Sequence, residues 1–446
     1  MDSVLNDPNM VKHICSFLND RNTFTVTSKC IYNASTLVYH GFIYDIKYFV
    51  SMSYDYKLER VRNIKNYKGE IIDSKILWNI HTVECNMYIE QNDIKLLGNV
   101  HTLILGSCRN ITDVSMLGNV HTLNFDNCRN ITNVSMLGNV HTLNLRGCKN
   151  IKDVSMLGNV NTLKLEECCN ITDVSMLGNV HDLNLSLCCN ITDVSMLGNV
   201  HTLNLEHCMN ITDISMLGNV HTLDLGYTDI KQNDIKLLGN VHTLKLSRCY
   251  NITDVSMLCN VHTLDLRYCY YITDVSMLVN VHNLDLRGCK NITDVSMLGN
   301  VHTLNLEECC NITNVSMLGN VHTLNLGYND IKQNDIKLLG NVHTLNLEEC
   351  CNITDVSKLG NVHTLNLGYT DIKDVSMLGN VHTLELRGCN NIKDVSMLGN
   401  VNTLDLRGCK NIKDVSMLGN VHKLFIDKYK YDLTGLENAN INYDVW

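Results

Sequence analysis

From Ile80 to Val421 the chain restates one sentence about every twenty residues, as in "LGNVHTLNLRGCKNIKDVSMLGNV" at 137–160. Units begin at Val100, Val120, Val140 and onward at a spacing of 20, with two units of 21 and one of 19. So short a unit cannot bury its own apolar side, and its stability must come from stacking on its neighbours. A chain of 446 residues would ordinarily suggest two or three globular domains. Here the period overrides that expectation and predicts a solenoid.

Within the unit 120–139 the apolar phases are Val120, Leu123, Phe125, Cys128, Ile131, Val134 and Leu137. Leu143 and Leu145 alternate with Thr142, Asn144 and Arg146, which is the period of a short strand with one buried face. Ile151, Val154, Leu157 and Val160 then recur every three residues, the spacing of a 3₁₀-type turn. "LGN" turns the chain back into the next strand. The order L-x-x-L-x-L-x-x-C resembles the leucine-rich repeat. That resemblance implies an α/β solenoid with a parallel concave sheet and 3₁₀ turns on the convex side. "KILWNIHTVEC" (75–85) reads as the N-terminal cap, and 422–446, where the unit never completes, as the C-terminal one.

In-register stacking turns each phase into a column. The cysteine column (Cys108, Cys128, Cys148, Cys168 and onward to Cys409) supplies a small buried side chain whose weak donor can meet carbonyls where the chain leaves the sheet. Ligands diverging along a line do not converge on zinc, and equivalent thiols offer no singular nucleophile. Thr228, Asn329 and Thr370 interrupt the column in a turn one residue shorter. A histidine column begins His101, His121, His141, skips Asn161 and Asn402, and reads as a hydrogen-bonding edge rather than a metal site. Its stacked imidazoles should repel once protonated. The methionine column (Met116, Met136, Met156) reads as gap filling on the convex side. Asparagine in the "NIT" triplets matches a glycosylation sequon, but its isoleucine sits at a core phase and points to the repeat's own geometry.

The two residues before each cysteine change from unit to unit. Core phases are fixed by packing, so freedom here marks surface, expected on the concave side. Tyr227, Arg248, Arg267, Tyr268 and Arg287 fall on four successive units, and Tyr369, Arg387 and Arg407 form a second group. Tyrosine and arginine are the residues enriched at binding hot spots, so both groups are candidate contact surfaces for a protein substrate. Charge gives a further constraint: the net is -10, and residues after Trp78 hold 26 Lys/Arg against 38 Asp/Glu. An acidic array argues against a nucleic-acid partner. No window approaches a membrane span and the first residues do not form a signal peptide, so a soluble, reduced, cytoplasmic setting is expected.

The first eighty residues differ in composition. "DPNMVKHICSFLNDRNTFTVTSKC" (7–30) reads as two short helices, with Ile14, Phe17 and Leu18 on one face. It resembles an F-box: Pro8 matches the opening proline, "ICSFL" the first helix, and "FTVTSKC" the second. The organisation expected is an F-box-like helical domain at 1–50, a connector and cap at 51–79, about 17 repeats over 80–421, and a cap at 422–446. Near-identical repeats in a proline-poor chain also resemble the repeat-expanded F-box proteins of giant DNA viruses, which would place the protein in the host cytoplasm. "ITDVSMLGNV" is similar to internalin-type repeats as well.

The F-box resemblance implies a substrate-recognition adaptor of a cullin-RING ubiquitin ligase. Pro8, Ile14, Phe17, Leu18, Val26 and Cys30 would dock a Skp1-type subunit, and the array would hold the substrate. The alternative is an interaction or sequestering protein with no ubiquitin link. Neither is an enzyme, and neither calls for a cofactor or metal: the sequence shows no phosphate loop, metal spacing or singular acid, base or nucleophile.

Overall fold

The computed structural model describes residues 43–45, 63–67, 81–85, 89–312, 314–427, 431, 436 and 439–443. Pro8, Ile14, Phe17, Leu18, Val26 and Cys30, and with them the expected F-box helices, lie outside the described residues. The chain divides into two compact units, Met1–Thr212 and Asp213–Trp446.

In the first unit each repeat contributes one three-residue strand, such as Thr122–Asn124 and Thr142–Asn144, followed by a 3₁₀ turn such as Ser135–Leu137. Successive strands pair in parallel with like residues opposite one another: Leu123 faces Leu143, and Leu143 faces Leu163. The ladder also runs N-terminal to the repeats, where Ile43–Asp45 pairs with Asn63–Tyr67 and that strand with Thr82–Cys85. The second unit is built alike from Thr222–Asp224 onward, and its sheet continues through Lys423–Ile426 to Asn440–Tyr443. That last pairing gives the C-terminal edge a covering strand, as an open solenoid end requires.

The core is a set of buried columns. Leu143, Leu145, Cys148, Ile151, Leu157 and Val160 are fully buried, and the same phases are buried in unit after unit. The glycine of "LGN" sits against the next repeat's backbone in most units: a Cβ on Gly138 would lie 2.3 Å from the Met156 carbonyl oxygen. Close approach, not a left-handed backbone, fixes that glycine. At the start of most 3₁₀ turns an aspartate carboxylate accepts the serine N–H two residues on, as Asp153 Oδ1 does from Ser155 at 2.9 Å. This hydrogen bond holds the Asp153 carboxyl below its usual range.

The cysteine expectation holds in detail. The Cys148 Sγ donates to the carbonyl of Phe125 at 3.2 Å, and that of Cys168 to Leu145 at 3.1 Å, each reaching into the preceding repeat. Burial pushes both thiols up to about 12, which makes them poor nucleophiles. Where cysteine is absent the donor persists: Thr228 Oγ1 donates to Leu225 O at 2.6 Å, and Asn329 Nδ2 to Leu306 O at 2.7 Å. The asparagines of "NIT" form a second ladder, with Asn170 Nδ2 donating to Lys149 O at 2.7 Å while Ile171 is buried.

One expectation fails. The methionines do not fill a convex layer: Met136 is 60% and Met397 62% exposed. The buried leucine beside each, Leu137 or Leu398, already closes the core, so the neighbouring side chain is left in solvent.

Candidate functional site

The two variable letters turn out to be physically distinct positions. The first continues the strand's alternation: Arg146 is exposed while Leu145 is buried. The second has left the strand. Its backbone is left-handed in every unit described, with φ of 58° at Asn127, 56° at Tyr227, 58° at Arg248 and at Tyr268, and 57° at Tyr369. Glycine takes this conformation without strain, as Gly147, Gly288, Gly388 and Gly408 do, whereas a side chain there carries a cost. The N–H of this residue still bonds onward, Tyr268 N donating to Arg287 O at 2.8 Å, so the turn is tied to the next repeat. Tyr227, Arg248, Tyr268 and Tyr369 therefore project from the turn beside the sheet, and Arg267, Arg287, Arg387 and Arg407 from the strand face.

In the second unit the left-handed positions of three successive repeats carry Tyr227, Arg248 and Tyr268. The Arg248 guanidinium lies between the two rings, 5.1 Å from the Tyr227 centroid and 4.7 Å from that of Tyr268. The Tyr268 ring extends over Gly288, where a Cβ would fall 2.3 Å from its Cδ1. Arg287 stands 5.9 Å from the same ring. Two residues further along each repeat a parallel column adds Tyr250 and Tyr270, stacked at 5.7 Å, with Tyr270 edge-on to Tyr268 at 6.3 Å. Tyr250 and Tyr271 are exposed. The sequence reading missed these last three, although "CYN" at 249–251 and "CYYIT" at 269–273 replace the usual polar residues after the cysteine.

The charges around this ladder are largely neutralised. Arg267 folds onto Asp265, with Nε 2.9 Å from each carboxylate oxygen, and these hydrogen bonds push its pKa further up. Arg287 pairs with Glu308 at 2.7 Å and Glu307 at 3.2 Å, while its buried Nε has no hydrogen-bond partner among the described residues. Beneath them burial raises the carboxyl of Asp285. Arg248 is held by the two rings and a hydrogen bond with Tyr250, and among the described residues it forms no salt bridge.

The second candidate group does not assemble in this way. Tyr369 lies over Gly388, a Cβ there falling 2.4 Å from its Cδ1, and Arg387 is exposed. Arg407 turns back onto Asp405, its Nε 2.9 and 3.0 Å from the carboxylate oxygens, and packs over Phe425 at 5.2 Å.

On the other edge of the sheet the histidines stack as expected. Ring centroids from His81 to His141 are 4.2, 4.4 and 4.6 Å apart, and those from His221 to His382 keep similar spacing. Loss of hydration, then the neighbouring imidazoles, push His121, His242, His302 and His343 below the usual histidine range. The surface grooves repeat too: one between Asp173 and Asp193 recurs between Asp274 and Asp294, so no groove of this set is singular.

This architecture defines a leucine-rich-repeat solenoid, and a solved structure agrees. The chain is similar to TLR13 in its complex with ssRNA13, with a TM-score of 0.52 at 16% identity over 86% of this chain and 73% of that one. It also matches a leucine-rich-repeat protein of Leptospira interrogans, with a TM-score of 0.48 at 19% identity over 86% and 96% of the two chains. The functional domain of InlJ from Listeria monocytogenes, which includes a cysteine ladder, gives 0.45 at 20% over 73% and 71%. At these identities the likeness is one of fold. No family model and no curated relative matches the chain. No helix among the described residues is long and apolar enough to cross a membrane.

Proposed function

We propose that the protein is a non-enzymatic binding protein and that the Tyr227–Arg248–Tyr268–Arg287 ladder is its contact surface for a protein partner. One observation carries this reading: three successive repeats place aromatic, cationic and aromatic side chains at a strained left-handed position where glycine would cost nothing. Rigid tyrosines interleaved with arginine match the composition of interface hot spots. The carboxylates beside Arg267 and Arg287 oppose a phosphate backbone, so the RNA in the TLR13 complex is not carried over to this chain.

The finer reading is a ubiquitin-ligase adaptor. Pro8, Ile14, Phe17, Leu18, Val26 and Cys30 support it through their match to the F-box pattern. In it the N-terminal segment docks a Skp1-type subunit, the solenoid holds the substrate, and the contribution to ubiquitin transfer is proximity. Purified Skp1 tests this directly. Capture by the full-length protein, lost in a Phe17→Asp/Leu18→Asp variant with unchanged circular dichroism, supports the adaptor. Failure of the wild type to capture Skp1 leaves the sequestering protein as the reading. For the ladder, proteins recovered by the wild type and by Arg387→Ala should be lost with Arg248→Ala/Tyr268→Ala. Identical recovery by that double variant removes the ladder as the contact surface.

A further inference from the structure

The first residue of the repeat strand is threonine almost throughout, and aspartate in one repeat only, at Asp182. Where a histidine precedes the threonine its ring nitrogen lies within hydrogen-bond distance of the hydroxyl, as His101 Nδ1 does at 3.1 Å and His201 Nδ1 at 3.4 Å. At 181 the partner is instead a carboxylate: Asp182 Oδ1 stands 3.2 Å from His181 Nδ1. The other oxygen, Oδ2, accepts from Thr162 Oγ1 at 3.4 Å, which orients the group from the preceding repeat. His201 stacks on His181 with centroids 4.6 Å apart and planes 11° apart.

We propose that His181, Asp182 and His201 form a binding site for one divalent transition-metal ion of the zinc or cobalt type. One ligand atom from each side chain lies within 4.8 Å of the other two, the one such convergence among the described residues. Tetrahedral coordination with bonds of roughly 2.0–2.1 Å needs ligand atoms about 3.4 Å apart. Both histidines are exposed, so rotation about their side-chain bonds can supply the remaining closure. His181 is also stacked on one side only, because Asn161 fills the column position before it. Two imidazoles and one carboxylate suit such a borderline ion and leave a coordination position for water. Elsewhere the column offers paired imidazoles with a hydroxyl or, at Asn283, an amide, which lacks the anion that offsets the ion's charge. The site lies in the first compact unit, and it is independent of the tyrosine–arginine ladder in the second.

The test uses the untagged full-length protein and Co²⁺, because exposed thiols such as Cys189 and Cys310 also take metals and thiolate ligation of cobalt has its own charge-transfer absorption. Two variants use residues that the repeat already accepts at these phases: Asp182→Thr and His201→Asn. The expected result is one Co²⁺ per chain with a nitrogen and oxygen ligand spectrum, and a loss of affinity of about tenfold or more in each variant. Thiolate bands alone in the wild type overturn the proposal, as does either variant binding within about twofold of it.

Discussion

The two tyrosine–arginine groups of the second unit read alike in sequence and differ in what their side chains are occupied with. Around 227–287 the arginine of the turn stands between two half-buried rings. Around 369–407 there is a single ring over a glycine, and the arginine nearest the end of the array is committed to Asp405, which is only 7% exposed. Asp405 lies one strand from Phe425, opposite it in the register, where the array meets its closing strands. The same two residue types thus serve presentation in one place and end closure in the other. What separates them is the position the arginine holds: at the left-handed position between two tyrosines Arg248 meets rings, whereas Arg267 and Arg407, one residue earlier in their repeats, both fold onto an aspartate.

The largest expected effect lies on the closure side. Arg407→Ala strands a buried carboxylate that is already crowded by Glu385, whose own pKa is raised by burial and then by Asp405. Breaking such a pair should cost about 2–3 kcal/mol, read as a lowered urea midpoint, with partner binding untouched. An equal loss of stability from Arg248→Ala would erase the distinction between the groups. Next comes Gly288→Ala, which puts a Cβ into the Tyr268 ring at a φ of 72°. Backbone strain and displacement of the ring should together cost on the order of 2 kcal/mol. Gly408→Ala is the control, because its nearest neighbour would be the Gly388 N at 3.4 Å, and it should cost about half as much.

Much of this was legible in the sequence because periodicity reports packing. Leu143, Leu145, Cys148 and Ile151 sit where their spacing requires, and the strand, the 3₁₀ turn and the sulfur-to-carbonyl ladder follow from it. The left-handed backbone was less visible. Gly147, Gly288, Gly388 and Gly408 signal it, but Tyr227, Arg248 and Tyr268 occupy the same position and hide it, since a strained residue leaves no mark in composition. Charge pairing was hidden for a different reason. Asp265 with Arg267 and Asp405 with Arg407 share one sequence spacing and one geometry, yet only the second acid is buried, because it lies beside the end of the array. Nor did the regularity of the histidine column advertise Asp182, a single substitution whose meaning depends on side chains one repeat away.

The smallest effect uses pH to separate the groups once more. His242 is stacked on both sides, by His221 and His262, and its pKa is depressed by loss of hydration and then by those neighbours. A histidine whose folded pKa lies below the unfolded value stays neutral in the folded chain while the unfolded chain takes up protons. Its contribution is therefore intact above about pH 6.5 and is lost as pH falls through that value. The column runs unbroken from His221 to His382 and then meets Asn402, so the strand at Thr403–Asp405 has no imidazole of its own in the stack. Between about pH 7 and pH 5, amide protection in Thr243–Lys245 and Thr263–Asp265 should fall, while that in Thr403–Asp405 changes less. A uniform loss across all three strands would show that protonation acts on the array as a whole, and the presenting group would then owe nothing to the histidines beside it.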